Sequence, residues 1–184
     1  MTPEELKALI RDVPDFPKPG IVFRDVTTLI RHGPGFAAAV GHLANLAKQA
    51  GAQSIAGIEA RGFVFGAAVA ARLELGFVPV RKPGKLPVPV LAMDYALEYG
   101  TDTLEVDPGA IGEGERVVVI DDLIATGGTA NAAVKLLREA GAEVGHALFL
   151  VDLPDLGGAS RLREAGVSVE ALIAFPASPA IHSA

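Results

Sequence analysis

Cysteine is absent from the 184-residue chain, which excludes disulfides, thiol catalysis and cysteine-ligated zinc. No apolar run reaches the roughly 20 residues that a membrane-spanning helix needs. The first residues, Met1-Thr-Pro-Glu-Glu-Leu-Lys7, read as a capped, charged helix start rather than a basic region followed by an apolar stretch, so no secretory leader is expected. There is no G-x-S-x-G elbow and no H-E-x-x-H pair, and His32, His42, His146 and His182 are scattered without metal-ligand spacing. An excess of positive charge is lacking too: the formal net charge is −6, which argues against general nucleic-acid binding. A cytoplasmic protein with neither nucleic acid nor membrane as partner is the expectation.

Half the residues are apolar and no low-complexity tract interrupts them, so one globular domain over residues 1–184 is expected. Phe36, Val40, Leu43 and Ala47 recur at helical spacing. A strand around Ser54 to Glu59, a helix from about Phe63 to Leu73 and a strand around Phe77 to Arg81 follow. A second unit has a strand at Val117, a helix carrying Ala130, Ala133, Val134 and Leu137 that closes at Gly141, and a strand from about Val144 to Val151. The tail adds a helix (Ala159 to Ala165) and a strand (Val167 to Ala174). The alternation predicts an α/β fold with a mostly parallel central sheet flanked by helices. Ligands in such folds collect beyond the carboxyl ends of strands, where Glu59, Arg81 and Asp121 fall. Residues 82 to 115 break the alternation with Pro83, Gly84, Pro87 and Pro89 and then read as a hairpin, an excursion of the length that often carries function.

The most informative stretch is Val117-Val-Val-Ile-Asp-Asp-Leu-Ile-Ala-Thr-Gly-Gly-Thr129. Four β-branched residues predict a strand buried on both faces. Two acids, Asp121 and Asp122, follow at its end, and a small-residue turn opens a helix. Backbone N–H groups at a helix N-terminus welcome a phosphate dianion. Gly127 and Gly128 let the main chain approach it, and Thr126 and Thr129 can add hydroxyl donors. Carboxylates accept from a sugar's vicinal hydroxyls, so diol at one end and phosphate at the other fits a ribose 5-phosphate. The segment lacks the lysine of G-x-x-x-x-G-K-[ST] and is not G-x-G-x-x-G. A Gly-Gly turn alone would fit an ordinary strand–loop–helix; two acids at a buried strand end are costly without partners and favour the phosphate-sugar site.

This stretch resembles the phosphoribosyl-diphosphate motif of the type I phosphoribosyltransferase family. Four other segments resemble its adenine-specific branch: Asp15-Phe-Pro-Lys-Pro-Gly-Ile-Val-Phe-Arg-Asp25, Ala60-Arg-Gly-Phe-Val-Phe-Gly66, Val80-Arg-Lys-Pro-Gly-Lys-Leu-Pro87 and Tyr95-Ala-Leu-Glu-Tyr-Gly100. The likeness runs from about residue 14 to about residue 153. It implies transfer of the 5-phosphoribosyl group from phosphoribosyl diphosphate to adenine through an oxocarbenium-like transition state, giving AMP and pyrophosphate in purine salvage. It further implies Mg²⁺, held mainly through substrate, and a homodimer. A small hood (about residues 13–25) would hold the base, and a flexible lid (about residues 92–106) would close over the site.

The resemblance also assigns residues. Arg61 belongs to the loop that grips pyrophosphate; a cation is disfavoured at a helix start, which independently suggests an anion beside it. Arg81, Lys82 and Lys85 match positions that contact pyrophosphate, with one of the three open to coming from a partner subunit; for Lys85 a solvated loop lysine is an equal reading. Asp121, Asp122, Ala125, Thr126, Gly127, Gly128 and Thr129 form the ribose-phosphate site. Glu98 and Tyr99 sit in the lid, with Glu98 acting at adenine N7. Phe23 stacks on the adenine, Leu153 covers its other side, and the main chain at Val22 and Arg24 reads its N1 and N6. Glu59-Ala60 departs from an Asp-Ser pair common in the family, which removes a hydroxyl from the loop; a non-proline cis peptide is often found there. The alternatives are a regulator that keeps the site only as a sensor, and transfer to another base; no added DNA-binding domain or basic face favours the first.

Overall fold

The computed structural model describes residues 1–97 and 100–176. Five strands of the described residues form one parallel sheet in the order β4-β3-β7-β8-β9: β3 Ser54–Ile58, β4 Gly76–Val80, β7 Arg116–Ile124, β8 Glu143–Asp152 and β9 Ser168–Ala174. Among these strands β3 comes first in the chain, yet its neighbours are β4 on one side and β7 on the other. The chain thus reverses its direction of travel across the sheet between β3 and β7. At such a switch point the connections leave both strand ends in opposite directions and a crevice opens between them.

The buried runs predicted these strands. Every residue of β3 is buried, and so are Val117 to Ile120 of β7. Helices α3 (Gly33–Gln49) and α4 (Arg61–Leu73) cover one face, where Leu43, Ala47, Phe65 and Val69 pack on Ile55, Val118 and Leu148. On the other face, α5 (Gly128–Glu139) and α6 (Gly158–Glu164) bury Val134, Leu137 and Leu162 against Val119, Ala147 and Phe149. The mostly parallel sheet expected is, among the described residues, wholly parallel.

Two boundaries differ from expectation. Strand β7 does not end at the acids but runs through them to Ile124. β3 pairs with it only as far as Ile120, while β8 keeps the ladder going to Ile124 opposite Asp152. One neighbour therefore carries the acids into the sheet while the other edge stays open. Helix α4 starts at Arg61 rather than near Phe63, because the carboxylate of Asp122 offsets a cation in its first turn.

The N-terminal part folds over the α3/α4 face. Helix α1 (Pro3–Lys7) is closed by a Thr2–Glu5 capping box. Strands β1 (Arg11–Pro14) and β2 (Val22–Asp25) pair antiparallel, and α2 (Thr27–Arg31) follows. Lys7 ties this unit to the end of β9, donating to the Ala174 carbonyl at 2.6 Å. The excursion forms an antiparallel hairpin of β5 (Leu91–Ala96) and β6 (Thr101–Val106). Its inner residues Tyr95, Leu104 and Val106 are buried in the cluster around α5, so both strands are anchored. No helix of the described residues is long and apolar enough to cross a membrane.

Asp25 fixes the end of β2. Its carboxylate accepts from the Thr27 hydroxyl at 2.6 Å, from the Thr27 amide at 3.0 Å and from Arg11 Nε at 3.1 Å. The Thr27 hydroxyl first, and Arg11 after it, hold its pKa down to about 2. A carboxyl lowered in the fold stabilises above its unfolded value and loses that contribution as pH falls through its folded value. Asp25→Asn should therefore lower unfolding free energy at neutral pH by about 1 kcal/mol, a figure reduced for screening through the exposed Arg11. Denaturant titrations from about pH 7 down to about pH 2 should show the difference closing below about pH 4; a constant difference would locate the effect in packing instead.

Candidate active site

A cavity of about 340 Å³ opens at the switch point, lined by Glu59, Ala60, Arg61, Lys82, Asp121, Asp122 and residues 123–130. Its walls come from three carboxyl ends: β3 supplies Glu59, β4 leads to Lys82, and β7 carries the acids. Helices α4 and α5 both point their N-termini into it. Their N-caps are Ala60 and Gly127, neither of which provides a side-chain cap; Val26 of α2 and Gly157 of α6 provide none either, whereas α1 and α3 are capped by Thr2 and His32. A helix N-terminus without a cap keeps unpaired N–H donors and partial positive charge. Two of them in one cavity make two anion seats, one on either side of the acids.

The acids differ in surroundings. Asp122 is buried at 6% exposure and its carboxylate pairs with Arg61 Nε. Partial burial works against the Arg61 charge, but the hydrogen bond and charge of Asp122, with Asp121 and Asp25 further off, outweigh it and raise the guanidinium pKa. Among the described residues Asp121 makes no ion pair, although the Arg61 charge acts on it. Its Oδ1 accepts from the Asp122 amide at 2.9 Å, and the bare Cα of Gly62 packs against the same oxygen. Burial pushes the Asp121 carboxyl well above the usual carboxylate range, and the neighbouring Asp122 charge adds to the rise.

Around the β3 and β4 ends the charges are already paired. Glu59 accepts from the Lys82 amide at 2.8 Å and from Arg81 Nε at 3.0 Å; the Lys82 amide, then Arg81, lower its pKa. Its peptide to Ala60 is cis. The Lys82 ammonium reaches across to the hairpin, pairing with Asp102 and donating to the Tyr95 hydroxyl at 2.9 Å, while that hydroxyl donates to Asp102 at 3.1 Å. Burial alone would lower the Lys82 pKa, yet Asp102 and Tyr95 raise it. The hairpin also meets the second anion seat, for the Ala96 carbonyl lies 3.4 Å from where a Cβ on Gly128 would stand.

Of the residues singled out from sequence, Arg61, Lys82, Asp121, Asp122, Ala125, Thr126, Gly127, Gly128 and Thr129 come together in this cavity. Arg81 faces Glu59 and stacks over Phe63, and Lys85 is exposed; neither lines the cavity. Val22, Phe23, Arg24 and Leu153 do not line it either. Phe23 meets Phe16 edge to face at 5.3 Å, Arg24 pairs with Asp12 and lies over the Phe175 ring, and Leu153 packs on the cluster holding Val26. Asp25, two residues beyond Phe23, is close enough for its charge to act on Arg61. Glu98 and Tyr99 lie outside the described residues. Sequence reading overlooked Glu59 as a holder of Arg81 and Lys82, although an acid closing a fully buried strand was a usable signal. It also overlooked Tyr95 and Asp102, which carry no local mark.

The family model for the phosphoribosyl transferase domain matches residues 27–168. The chain is 68% identical over 176 residues to an adenine phosphoribosyltransferase of Novosphingobium aromaticivorans, covering 96% of this chain and 99% of the relative. Among solved structures, the adenine phosphoribosyltransferase of Thermoanaerobacter pseudethanolicus is similar with a TM-score of 0.89 and 48% identity, covering 95% of this chain and 100% of that one. The enzyme of Saccharomyces cerevisiae, solved with an imino-altritol bisphosphate and adenine, gives a TM-score of 0.85 and 37% identity over 92% of this chain and 97% of that one.

Asp102→Asn should remove the main group that raises Lys82 and leave burial, which lowers it. The Lys82 pKa should fall below its wild-type value in an NMR titration of lysine side-chain nitrogens. An unmoved value would dissolve the proposed Lys82–Asp102 coupling.

Proposed function

The chain belongs to the adenine phosphoribosyltransferase family, and from that footing we propose that it converts adenine and phosphoribosyl diphosphate to AMP and pyrophosphate. The observation that carries this reading is the pair of uncapped helix N-termini flanking two acids in one cavity. Phosphoribosyl diphosphate has that order of groups: a diphosphate on C1, a diol between, and a phosphate on C5. The diphosphate goes to the α4 seat with Arg61 and Lys82. The 5-phosphate goes to the loop 125–129 at the start of α5. The ribose hydroxyls go to Asp121 and Asp122.

Bond making joins adenine N9 to C1 of the ribose as the bond from C1 to the diphosphate oxygen breaks, so positive charge builds on the sugar. The enzyme's work is then to hold two reactants in line and to surround them with fixed charge. Asp122, held by Arg61, is preorganised; Asp121, with its raised pKa, can accept from or donate to a sugar hydroxyl at little cost. The oxygen donors of the acids fit Mg²⁺ in its usual mode, one or two carboxylates together with substrate phosphates. When bound, Mg²⁺ would neutralise charge on the diphosphate leaving group.

The base sits at the rim formed by the N-terminal hood, between Phe23 and Leu153, with main-chain groups of Val22 and Arg24 reading the adenine edge. Glu98 of the lid shares the proton at adenine N7 as electrons move into the new bond. The whole chain, residues 1–184, acts as one domain, with about residues 92–106 as its lid. Arg81 and Lys85 are assigned with Lys82 to pyrophosphate, one of the three being open to coming from the partner subunit of a homodimer, and the cytoplasm is the assigned compartment.

Incubating the purified protein with Mg²⁺, phosphoribosyl diphosphate and each base in turn should yield AMP from adenine alone. Nucleotide from hypoxanthine as well would overturn the main-chain readout, and binding without any nucleotide would favour a sensor. Glu98→Gln should keep the fold and lower kcat on the order of 10²- to 10⁴-fold, the usual weight of an acid–base group. Phe23→Ala should raise KM for adenine by roughly tenfold, the loss of one stacked ring, with KM for phosphoribosyl diphosphate little changed.

A further inference from the structure

The turn that opens α6 stands directly behind the phosphate loop, main chain against main chain. Gly127 has φ 79°, and a Cβ on it would lie 2.9 Å from both the Cα and the carbonyl oxygen of Gly158. A Cβ on Gly158 would fall 2.3 Å from the Ala125 carbonyl oxygen and 2.7 Å from the Gly127 nitrogen. Real side chains do not approach so closely, and the atoms in the way are backbone. Two hydrogen bonds complete the contact. The Gly158 amide donates to the Ala125 carbonyl at 3.0 Å, and Arg161 Nη1 donates to the Thr126 carbonyl at 2.6 Å.

The consequence follows from peptide geometry. In a trans peptide the carbonyl and the next residue's N–H point in opposite directions. Cis bonds among the described residues occur at Phe16-Pro17 and Glu59-Ala60, so the loop peptides are trans. Holding the Ala125 and Thr126 carbonyls toward α6 turns the Thr126 and Gly127 amides the other way. Thr126 and Gly127 line the cavity. Residues 158 and 161 thereby set the aim of two phosphate donors that they do not adjoin in sequence.

We propose that Gly158 and Arg161 are positioning residues for the 5-phosphate, acting through the loop 125–129 without touching ligand. The proposal rests on the transferase reading of the same cavity. Arg161 is exposed, so its hydrogen bond contributes little to global stability. Its effect therefore falls on affinity for ligands that carry a ribose phosphate. Donor aim matters at this site because a shift of a few tenths of an ångström weakens several charge-assisted hydrogen bonds at once.

The test compares wild type, Gly158→Ala, Arg161→Ala and Arg161→Lys, using steady-state kinetics and calorimetric binding of AMP and of pyrophosphate. In Gly158→Ala, KM for phosphoribosyl diphosphate and Kd for AMP should rise on the order of tenfold, with KM for adenine and Kd for pyrophosphate within about twofold. Arg161→Ala should show the same selectivity with a smaller loss and an unchanged melting midpoint, and Arg161→Lys should recover part of it. Unchanged AMP affinity in the folded variants, or an equal loss for both phosphate ligands, would overturn the proposal. If Gly158→Ala does not fold, the Arg161 pair decides it alone. If wild type makes no AMP, the transferase reading fails separately, and AMP binding still reads the clamp.

Discussion

The Arg61–Asp122 ion pair joins the first turn of α4 to β7 across the crevice between β3 and β7, and the charge state of the whole cavity depends on it. Each partner would be unfavourable alone: a cation at a helix N-terminus opposes the dipole, and a carboxylate at 6% exposure is poorly hydrated. Together they fix the start of α4 and leave its amide donors facing the cavity. With Asp122 committed, Asp121 becomes the group in which burial and a like charge outweigh the relief given by the Asp122 amide and the Arg61 charge. The site thus holds one spoken-for acid and one responsive acid side by side, a division of labour that follows from which of the two reaches the arginine.

Much of this arrangement was legible in the sequence because it is written in local patterns. The run Val117 to Ile120 has the signature of a buried strand, and Ala125 to Thr129 that of a tight turn into a helix. What escaped was non-local. Arg61 and Asp122 are 61 positions apart, and Arg161 reaches Thr126 across 35; neither reach leaves a periodicity to detect. Strand β7 was read as ending at its acids because polarity usually marks a strand end. It continues because β8, a ten-residue strand, extends the ladder on one side only.

The N-terminal strand pair is assembled differently from the cavity at the switch point. Arg24 and Lys7 both lie against Phe175, so the hood is held to the end of β9 by cations over one aromatic ring as well as by the Lys7–Ala174 hydrogen bond. Its inward end, Asp25, is fixed by Thr27 and Arg11. The strand pair is therefore braced at its base by polar contacts, and its exposed Phe16, Ile21 and Val22 lie toward the turn, away from those braces. The hairpin on the other side is braced by Lys82, which itself lines the cavity. An anion drawing on Lys82 would compete with Asp102 for it, which links the α4 side of the cavity to the hairpin whose Ala96 carbonyl lies beside Gly128.

The contact between Gly127 and Gly158 has a consequence for how such a chain can vary. A crowded pair of side chains can drift together, a larger residue on one side answered by a smaller one on the other. Two glycines in backbone contact have no smaller residue to offer, so neither position can be compensated from its partner. Sequence change in the last third of the molecule must route around this point, however freely the residues beside it are exchanged.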